Sequence, residues 1–431
     1  MIQIVEASQM DVPAFLASRE AETGEQYGKD VDEILKNVRE NGDKAVLSYT
    51  KKFDKAELSS LLLTKEEWEA GAAAVPASLY ETLEKAAANI ADYHKRQKKE
   101  GFTIAEKEGI ILGQCVMPLD TVGIYVPGGT ASYPSTVLMN AITAALAGCR
   151  RIIMATPPDA NGNIAPSLLA AAKIAGVTEI YKMGGAQAVA ALAYGTETVP
   201  RADKIVGPGN IYVALAKRRV FGIVDIDMIA GPSEILVVAD DKNDPAVIAA
   251  DLLSQAEHDR MAASLLITDS RAFAEAVVQE IEAQLALLPR EEIARESIET
   301  NGRILLVRDL KTEGLALANQ IAPEHLELCV DDSFALLPLV KNAGSVFLGR
   351  YTPEALGDYF AGTNHTLPTN GTARFSSPLS LDDFTKKSSF LYYTKEALHD
   401  ALPHIEAMAE TEGLYAHGKS AAIRFQKGRE V

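Results

Sequence analysis

A glutamate and a histidine stand side by side after a proline, where two titratable groups could serve one reaction. Glu324 and His325 follow Pro323 in the stretch Ile-Ala-Pro-Glu-His-Leu-Glu-Leu. A carboxylate can activate water and a neutral imidazole can accept a proton, which is the chemistry of general acid–base catalysis. Adjacent residues project in different directions, so the pair could address one substrate from two sides or lie on the surface as ordinary polar residues. The dipeptide alone leaves both interpretations open.

Three further segments carry side chains that could bind a metal ion. Asp251, Gln255 and His258 recur at i, i+4 and i+7, which places them on one face of a predicted helix. Asp358 lies in a glycine-rich stretch, and His417 follows two glutamates near the end of the chain. Zinc accepts histidine and carboxylate ligands in a tetrahedral site. Each segment also has an ordinary interpretation: a helix end that favours a histidine, a loop of Asx turns, or a surface histidine.

Composition restricts the class of protein. A chain of 431 residues with 47% hydrophobic and 23% charged residues predicts a globular protein of two or three domains. A net charge of -17 disfavours nucleic acid and anionic membranes as partners. The N-terminus lacks a secretion signal, and no apolar run reaches membrane-spanning length. Three widely separated cysteines without a CxxC motif favour a reducing compartment, so we expect a cytoplasmic protein.

The elements that must position these residues alternate between short apolar strands and helices, a pattern typical of parallel sheets covered on both faces. We predict an α/β fold: two Rossmann-like parallel-sheet domains without the usual glycine fingerprint, plus an N-terminal helical segment and a C-terminal appendage. The boundaries are residues 1–110 for the helical segment, which packs with the second α/β domain, 111–232 and 233–375 for the two α/β domains, and 376–431 for the appendage. A Thr64–Glu67 capping box opens one helix of the first segment, and His94 is expected on the surface.

Nine motifs follow one another along nearly the whole chain. They are 125–129 (Tyr-Val-Pro-Gly-Gly), 184–187 (Gly-Gly-Ala-Gln), 207–210 (Gly-Pro-Gly-Asn), 231–233 (Gly-Pro-Ser), 254–258 (Ser-Gln-Ala-Glu-His), 323–327 (Pro-Glu-His-Leu-Glu), 357–359 (Gly-Asp-Tyr), 364–368 (Asn-His-Thr-Leu-Pro) and 412–417 (Glu-Gly-Leu-Tyr-Ala-His). In this order they resemble the histidinol dehydrogenase family, whose members complete histidine biosynthesis.

The resemblance implies a metal site and a substrate site built from shared residues. One zinc ion per subunit would be held by Gln255, His258, Asp358 and His417, although spacing alone does not favour Gln255 over Asp251 or Glu257. His417 would come from the C-terminal appendage, which in this family reaches across a homodimer, so each site would be completed by the partner subunit. The residues implied to meet the substrate, L-histidinol, are Ser233, Gln255, His258, His325, Asp358, Glu412 and His417.

The resemblance also implies a cofactor and a reaction. NAD would lie against Tyr125, Gln187 and Asn210, each beside a glycine-rich turn at a predicted helix start, where free N–H groups favour pyrophosphate. The reaction would be a four-electron oxidation of L-histidinol through the aldehyde to L-histidine, using two NAD molecules in succession. His325 would be the base in both oxidations, and Glu324 would activate the water that attacks the aldehyde.

Two other functions compete with this one. A zinc hydrolase would use Glu324 to activate a water molecule on the metal and would not bind NAD. A non-enzymatic α/β binding protein would keep the fold without metal or turnover. Aldehyde oxidation can also use a cysteine nucleophile, but apolar surroundings predict that Cys115, Cys149 and Cys329 are buried structural residues.

Overall fold

The computed structural model describes residues 1–20, 25–128, 132–229 and 231–426. The chain forms two compact units. The first unit contains Met1–Gln97 and Leu119–Phe384, and the second contains Lys98–Pro118 and Thr385–Val431. Some predicted features, Gly129 among them, lie outside the described residues.

The strands and helices alternate through most of the first unit, as predicted. The strands in chain order are β1 (Gln3–Glu6), β2 (Phe102–Ile104), β3 (Ile110–Pro118), β4 (Thr121–Tyr125), β5 (Arg151–Thr156), β6 (Glu179–Lys182), β7 (Lys204–Val206), β8 (Asp225–Ile226), β9 (Glu234–Ala239), β10 (Ala263–Thr268), β11 (Arg303–Leu306), β12 (His325–Cys329), β13 (Ser345–Leu348) and β14 (Thr385–Tyr393). The α-helices are α1 (Val12–Glu20), α2 (Glu25–Phe53, with a non-helical Gly42), α3 (Lys65–Ala73), α4 (Ala77–His94), α5 (Pro134–Ala147), α6 (Pro166–Ala175), α7 (Gly185–Tyr194), α8 (Ile211–Val220), α9 (Pro245–Ala256), α10 (Arg271–Leu285), α11 (Glu291–Asn301), α12 (Leu315–Ile321), α13 (Ser333–Leu336), α14 (Glu354–Tyr359), α15 (Lys395–Thr411) and α16 (Tyr415–Ala422).

The first parallel sheet has the strand order β6-β5-β4-β7-β8. The chain starts in the middle at β4, moves outward through β5 and β6, then returns to β7 on the other side of β4. This reversal between β4 and β7 is a topological switch point, where α/β proteins commonly bind ligands at the carboxyl ends of the strands. The strands are almost wholly buried because helices cover both faces.

The second parallel sheet repeats this arrangement, with the order β1-β11-β10-β9-β12-β13. Its reversal lies between β9 and β12, which pair in parallel from Ile235 and His325 onward. The outermost strand, β1, comes from the N-terminus and pairs with β11. Sequence patterns did not predict β1, because four residues are too few for an alternation to be recognised.

The helices before the first sheet follow the sequence pattern in one respect and depart from it in another. Thr64 and Glu67 form the predicted capping box at the start of α3. His94, expected on the surface, is buried at the end of α4 and bonds to Gln97 through Nδ1, so that expectation is wrong. Basic neighbours made the end of α4 look solvated, although the histidine itself faces inward.

The second unit contains an antiparallel sheet of order β14-β3-β2 and the helices α15 and α16. β3 and β14 pair over nine residues, from Ile110 with Tyr393 to Pro118 with Thr385. β3 therefore lies between β2 and β14, and β14 was not predicted. Within the described residues, no helix is long and apolar enough to cross a bilayer.

The cysteines follow their prediction in two cases of three. Cys149 and Cys329 are buried, but Cys115 is exposed on β3. The prediction for Cys115 is wrong because apolar neighbours on a strand were taken as a sign of burial, whereas β3 belongs to a sheet with exposed apolar side chains.

Candidate active and metal site

The acid–base pair lies at the amino end of β12 and is buried. Glu324 is 6% exposed and His325 is 3% exposed, so the interpretation as a surface pair is wrong. α12 ends at Ala322, which adopts the left-handed conformation with φ of 53°, and Pro323 then prevents the helix from continuing. The turn delivers the pair directly into the sheet.

Glu324 is held by the backbone of the neighbouring strand. The Glu234 amide donates a hydrogen bond to Glu324 Oε2 over 2.8 Å. A side chain at Gly344 would place its Cβ 2.5 Å from the Glu324 carbonyl oxygen, so only glycine fits there. Burial raises the pKa of Glu324 to about 8, against the opposing charge of His325. The carboxyl group therefore gains its charge only at mildly alkaline pH.

His325 is oriented by the same residue of β9. Its Nδ1 lies 2.9 Å from the Glu234 carbonyl oxygen, which can only accept, so Nδ1 carries the hydrogen. The amide nitrogen of Gln255 lies 3.2 Å from the same Nδ1 atom. The other ring nitrogen, Nε2, lies 3.5 Å from Asp358 Oδ1. The ring thus presents one nitrogen to the site.

Carboxylates dominate the electrostatics around this ring. Burial lowers the pKa of His325, but the charges of Glu354, Glu324 and Asp358 outweigh it and raise that pKa well above its ordinary value. Burial raises the pKa of Glu354 to about 7. Burial opposes the ionisation of Asp358, but the hydrogen bond and charge of His325 lower its pKa. So many buried acids around one imidazole form an environment that a divalent cation would stabilise.

Two of the three predicted metal ligands in the first unit, Gln255 and Asp358, lie beside His325. Gln255 is buried in the last turn of α9, and Asp358 lies on α14. His258 follows α9 and is exposed; its Nδ1 lies 2.9 Å from the Ser254 carbonyl oxygen, which leaves Nε2 as the free ligand atom. His258 lies close enough to Asp358 to lower the pKa of that carboxyl.

The remaining predicted residues fall in different places. Ser233 directly precedes β9 and the Glu234 residue that holds the pair. Glu412 ends α15 and His417 lies in the first turn of α16, both exposed and both in the second unit. Their contribution to a site is therefore left as a prediction.

Sequence patterns missed Glu354 as a site residue. Its carboxylate oxygen, His325 and Asp358 offer ligand atoms within 4.8 Å of one another, and Glu354 Oε1 lies 3.9 Å from His325 Nδ1. Glu354 and Asp358 stand at i and i+4, so both lie on one face of α14. That spacing was a usable signal.

A second group of acids lies beneath the first. His325, Glu327 and Cys329 alternate along β12 and share one face of the strand. Glu327 Oε1 accepts a hydrogen bond of 2.8 Å from the Glu354 amide, and its carboxyl group contacts Asp251 on α9. Burial raises the pKa of Asp251 to about 6, and burial together with Asp251 raises the pKa of Glu327 well above its ordinary value. Glu327 therefore keeps its proton and donates a hydrogen bond to the Asp251 carboxylate.

The thiol beside these acids is not poised for nucleophilic attack. Burial and the charges of Glu327 and Asp251 raise the pKa of Cys329 strongly, so the reactive thiolate is not formed at neutral pH. Burial likewise raises the pKa of Cys149 to about 11. Both cysteines act as packing residues.

The predicted cofactor residues lie at the switch point of the first sheet. Tyr125 ends β4 and is buried; its hydroxyl accepts a 3.1 Å hydrogen bond from the Gly185 amide. Gln187 is buried in the first turn of α7. Asn210 caps α8, where its side chain accepts from the amides of Tyr212 and Val213. Tyr125 is the last residue of β4, and Gln187 and Asn210 lie at the starts of the helices that follow β6 and β7, so all three lie toward the carboxyl ends of strands of one sheet.

His365 contacts both Asp358 and the helix α5 beside the first sheet. Its Nδ1 lies 3.2 Å from the Asp358 carbonyl oxygen, and its Nε2 lies 3.2 Å from the hydroxyl of Thr136 on α5. Its backbone amide also contacts the sulfur of Met139. His365 thereby joins the end of α14, which carries Asp358, to α5.

Comparison with known proteins supports the resemblance inferred from the motifs. The sequence model described as histidinol dehydrogenase matches residues 17–425. The chain is 57% identical over 403 residues to a histidinol dehydrogenase of Bacillus cereus, covering 94% of each chain. It is 52% identical over 429 residues to that of Clostridium acetobutylicum, covering 99% of each. The crystal structure of histidinol dehydrogenase from Elizabethkingia anophelis superposes with a TM-score of 0.92 at 41% identity and 98% coverage of both chains.

Replacement of Glu327 by Gln is expected to weaken the pH dependence of stability. Glutamine preserves an acceptor for the Glu354 amide and a donor for Asp251. In the native protein the folded state keeps a proton on Glu327 that the unfolded chain loses above its ordinary pKa of 4.5, so stability falls as pH rises beyond that value. We expect a smaller fall in the thermal unfolding midpoint between about pH 5 and pH 8 in Glu327→Gln.

Glu327→Leu provides the contrast, because leucine leaves the Glu354 amide without its acceptor. That variant should unfold at a lower temperature at every pH. Parallel curves of midpoint against pH for the native protein and Glu327→Gln would show that Glu327 does not hold the proton.

Proposed function

Because the chain belongs to the histidinol dehydrogenase family, we propose that it oxidises L-histidinol through L-histidinal to L-histidine, with zinc and two molecules of NAD. The observation that carries this proposal is the buried Glu324–His325 pair facing Gln255 and Asp358. This reaction would be the last step of histidine biosynthesis, and a cytoplasmic location stays a prediction.

The donor set suits the metal. Gln255, His258, Asp358 and His417 would hold one zinc ion per subunit, and the free Nε2 of His258 together with the surplus of buried carboxylates supports a cation there. When bound, zinc would hold histidinol by its amino and imidazole nitrogens and NAD would accept hydride from the alcohol carbon. Ser233 and Glu412 would add contacts to the substrate.

His325 is the proton acceptor in both oxidations. Its Nδ1–H is fixed on the Glu234 carbonyl, so Nε2 is the nitrogen that takes the proton from the alcohol and later from the aldehyde hydrate. A base must be neutral when it acts. When the neutral ring accepts a proton, the surrounding buried carboxylates stabilise the imidazolium that forms.

Glu324 serves the second oxidation, in which water must add to the aldehyde. Its Oε2 is held by the Glu234 amide, and its pKa of about 8 means that the ionised, basic form grows with rising pH. The two adjacent residues divide the work: Glu324 prepares the hydrate and His325 accepts a proton in each hydride transfer.

The cofactor would lie at the switch point of the first sheet, against Tyr125, Gln187 and Asn210. Glycine-rich turns there lead into α7 and α8, and the positive end of each helix dipole favours a pyrophosphate. A zinc hydrolase would have no use for this arrangement.

A homodimer would complete the site with the partner subunit's His417. The second unit supports a protein partner because its sheet exposes apolar side chains in cross-strand rows, such as Ile104, Leu112 and Leu391. A contiguous exposed patch of apolar side chains is typical of a surface that contacts another protein.

The direct test follows NAD reduction at 340 nm, in the purified zinc-loaded protein with L-histidinol. We expect two NADH for each histidinol consumed and L-histidine as the product. Absence of NAD reduction in zinc-loaded protein would exclude the dehydrogenase and favour a hydrolase or a binding protein.

Glu324→Gln should separate the two oxidations. Glutamine still offers an oxygen to the Glu234 amide, so we expect His325 and the predicted metal ligands to keep their positions. The first oxidation should continue within a few-fold, while acid formation falls by about 10² to 10⁴, the usual worth of a general base. The yield should approach one NADH per histidinol, and L-histidinal should accumulate. An equal loss in both steps would disprove the division of roles.

Subunit mixing tests the shared site. His258→Ala and His417→Ala proteins should each be inactive, but a mixed dimer would retain one site with both histidines intact. Random reassociation should restore about a quarter of native activity, because half of the dimers are mixed and each has one of two sites. The matched control mixes His258→Ala with Gln255→Ala, whose lesions lie in the same unit, and should stay inactive. No recovery in verified mixed dimers would place His417 in its own subunit's site or in none.

A further inference from the structure

A buried ion pair contacts the loop formed by residues 207–210. Neither of its members has been given a role in catalysis or binding above. Lys217 comes from α8 and Asp227 follows β8, and their side chains are 3% and 1% exposed. The Lys217 ammonium contacts Asp227 Oδ1 directly. A buried ion pair is a weak source of stability compared with apolar side chains of the same size, so its presence needs another explanation.

Both members of the pair bind the same backbone residue. Lys217 Nζ donates to the Gly207 carbonyl oxygen over 3.0 Å, and the Gly207 amide donates to Asp227 Oδ2 over 2.8 Å. Asp227 is itself fixed, because its Oδ1 accepts from the Met228 amide over 2.6 Å. The pair thus satisfies both polar groups of the first residue of the loop.

Position 207 cannot accommodate any residue with a side chain. Its φ is +112°, and a Cβ there would lie 2.1 Å from the Tyr125 carbonyl oxygen. The backbone therefore passes directly against the end of β4. Any movement of Gly207 would disturb the contact between this loop and Tyr125.

The other end of the loop is tied to the same helix. Asn210 accepts hydrogen bonds from the amides of Tyr212 and Val213 over 3.1 and 3.3 Å. The space beside Gly209 is filled by Val213. α8 therefore holds the loop at its end through Asn210 and at its beginning through Lys217.

We propose that Lys217 and Asp227 are positioning residues for the nicotinamide cofactor: they fix the 207–210 loop against Tyr125 at the switch point before NAD arrives. The inference rests on the proposed function, which places NAD at Tyr125, Gln187 and Asn210. Both charged side chains are buried, so they would act through the loop and not through contact with the cofactor. Their effect is to remove the ordering cost that a loose loop would impose on binding.

The effect is specific to one of the two substrates. Ser233, Gln255, His258, His325 and Asp358, proposed for histidinol, lie on and around the second sheet. Among the described residues, the pair bonds to the loop of the first sheet and to its own neighbours. Loosening the loop should therefore raise the KM for NAD and leave the KM for histidinol nearly unchanged.

The experiment uses the zinc-loaded, full-length enzyme carrying Lys217→Met and Asp227→Asn together, since removing one partner alone would strand a buried charge. The double variant should have a KM for NAD raised by about tenfold, which corresponds to about 1.4 kcal/mol. The KM for histidinol should change less than twofold. Amide hydrogen exchange in residues 204–212 should become faster, and this measurement needs neither substrate nor turnover.

Arg219→Met is the matched control. Arg219 lies on the same helix and carries the same charge, but its Nε pairs with Asp32 at the surface over 2.9 Å. This variant should keep the native KM for NAD and native exchange in the loop.

Three outcomes would count against the inference, and they can be told apart. A native KM for NAD in the folded double variant, with native enzyme turning over normally, overturns the inference alone. A similar rise in both KM values would show a general structural defect instead of loop positioning. If the native protein reduces no NAD with histidinol, the proposed function fails and the cofactor role of the pair fails with it.

Discussion

Parallel pairing of β12 with β9 is the constraint on which the site depends. One residue of β9, Glu234, uses its amide to hold the Glu324 carboxylate and its carbonyl to hold His325 Nδ1. The pairing places His325 opposite Ile235, and a slip of one residue would turn the imidazole to the other face of the sheet. The acid–base geometry is therefore inherited from the register of two buried strands, which is rigid because both faces of the sheet are packed.

The two parallel sheets share a strand order, but their candidate site residues lie at opposite ends of the strands. In the first sheet, Tyr125 and the 207–210 loop lie at the carboxyl ends of β4 and β7, the usual ligand position at a switch point. In the second sheet, Glu324 and His325 lie at the amino end of β12, and Gln255 reaches the same edge from the end of α9. His365 links the two regions through Thr136 and the Asp358 carbonyl. Similar architecture thus supports two different kinds of site.

Buried acids give the second site its chemical character at a cost in stability. Glu324, Glu354 and Glu327 each have a pKa raised mainly by burial, which means that the folded protein binds protons more tightly than the unfolded chain. Such groups destabilise a fold unless they are neutral, paired or beside a cation. The cluster of buried acids around His325 therefore suits a site for metal binding and proton transfer better than it suits a stable core.

The sequence by itself determined the alternation of strands and helices, the capping box at Thr64, the nine ordered motifs and, through them, the family and the proposed roles of Glu324 and His325. These features depend on local spacing and residue type. Tertiary structure decided the rest: the edge strand β1, the inward face of His94 and the exposure of Cys115. Lys217 and Asp227 meet only because α8 and β8 pack beside Gly207. Burial and pairing between distant segments leave no mark in local spacing, since they arise when separate elements come together.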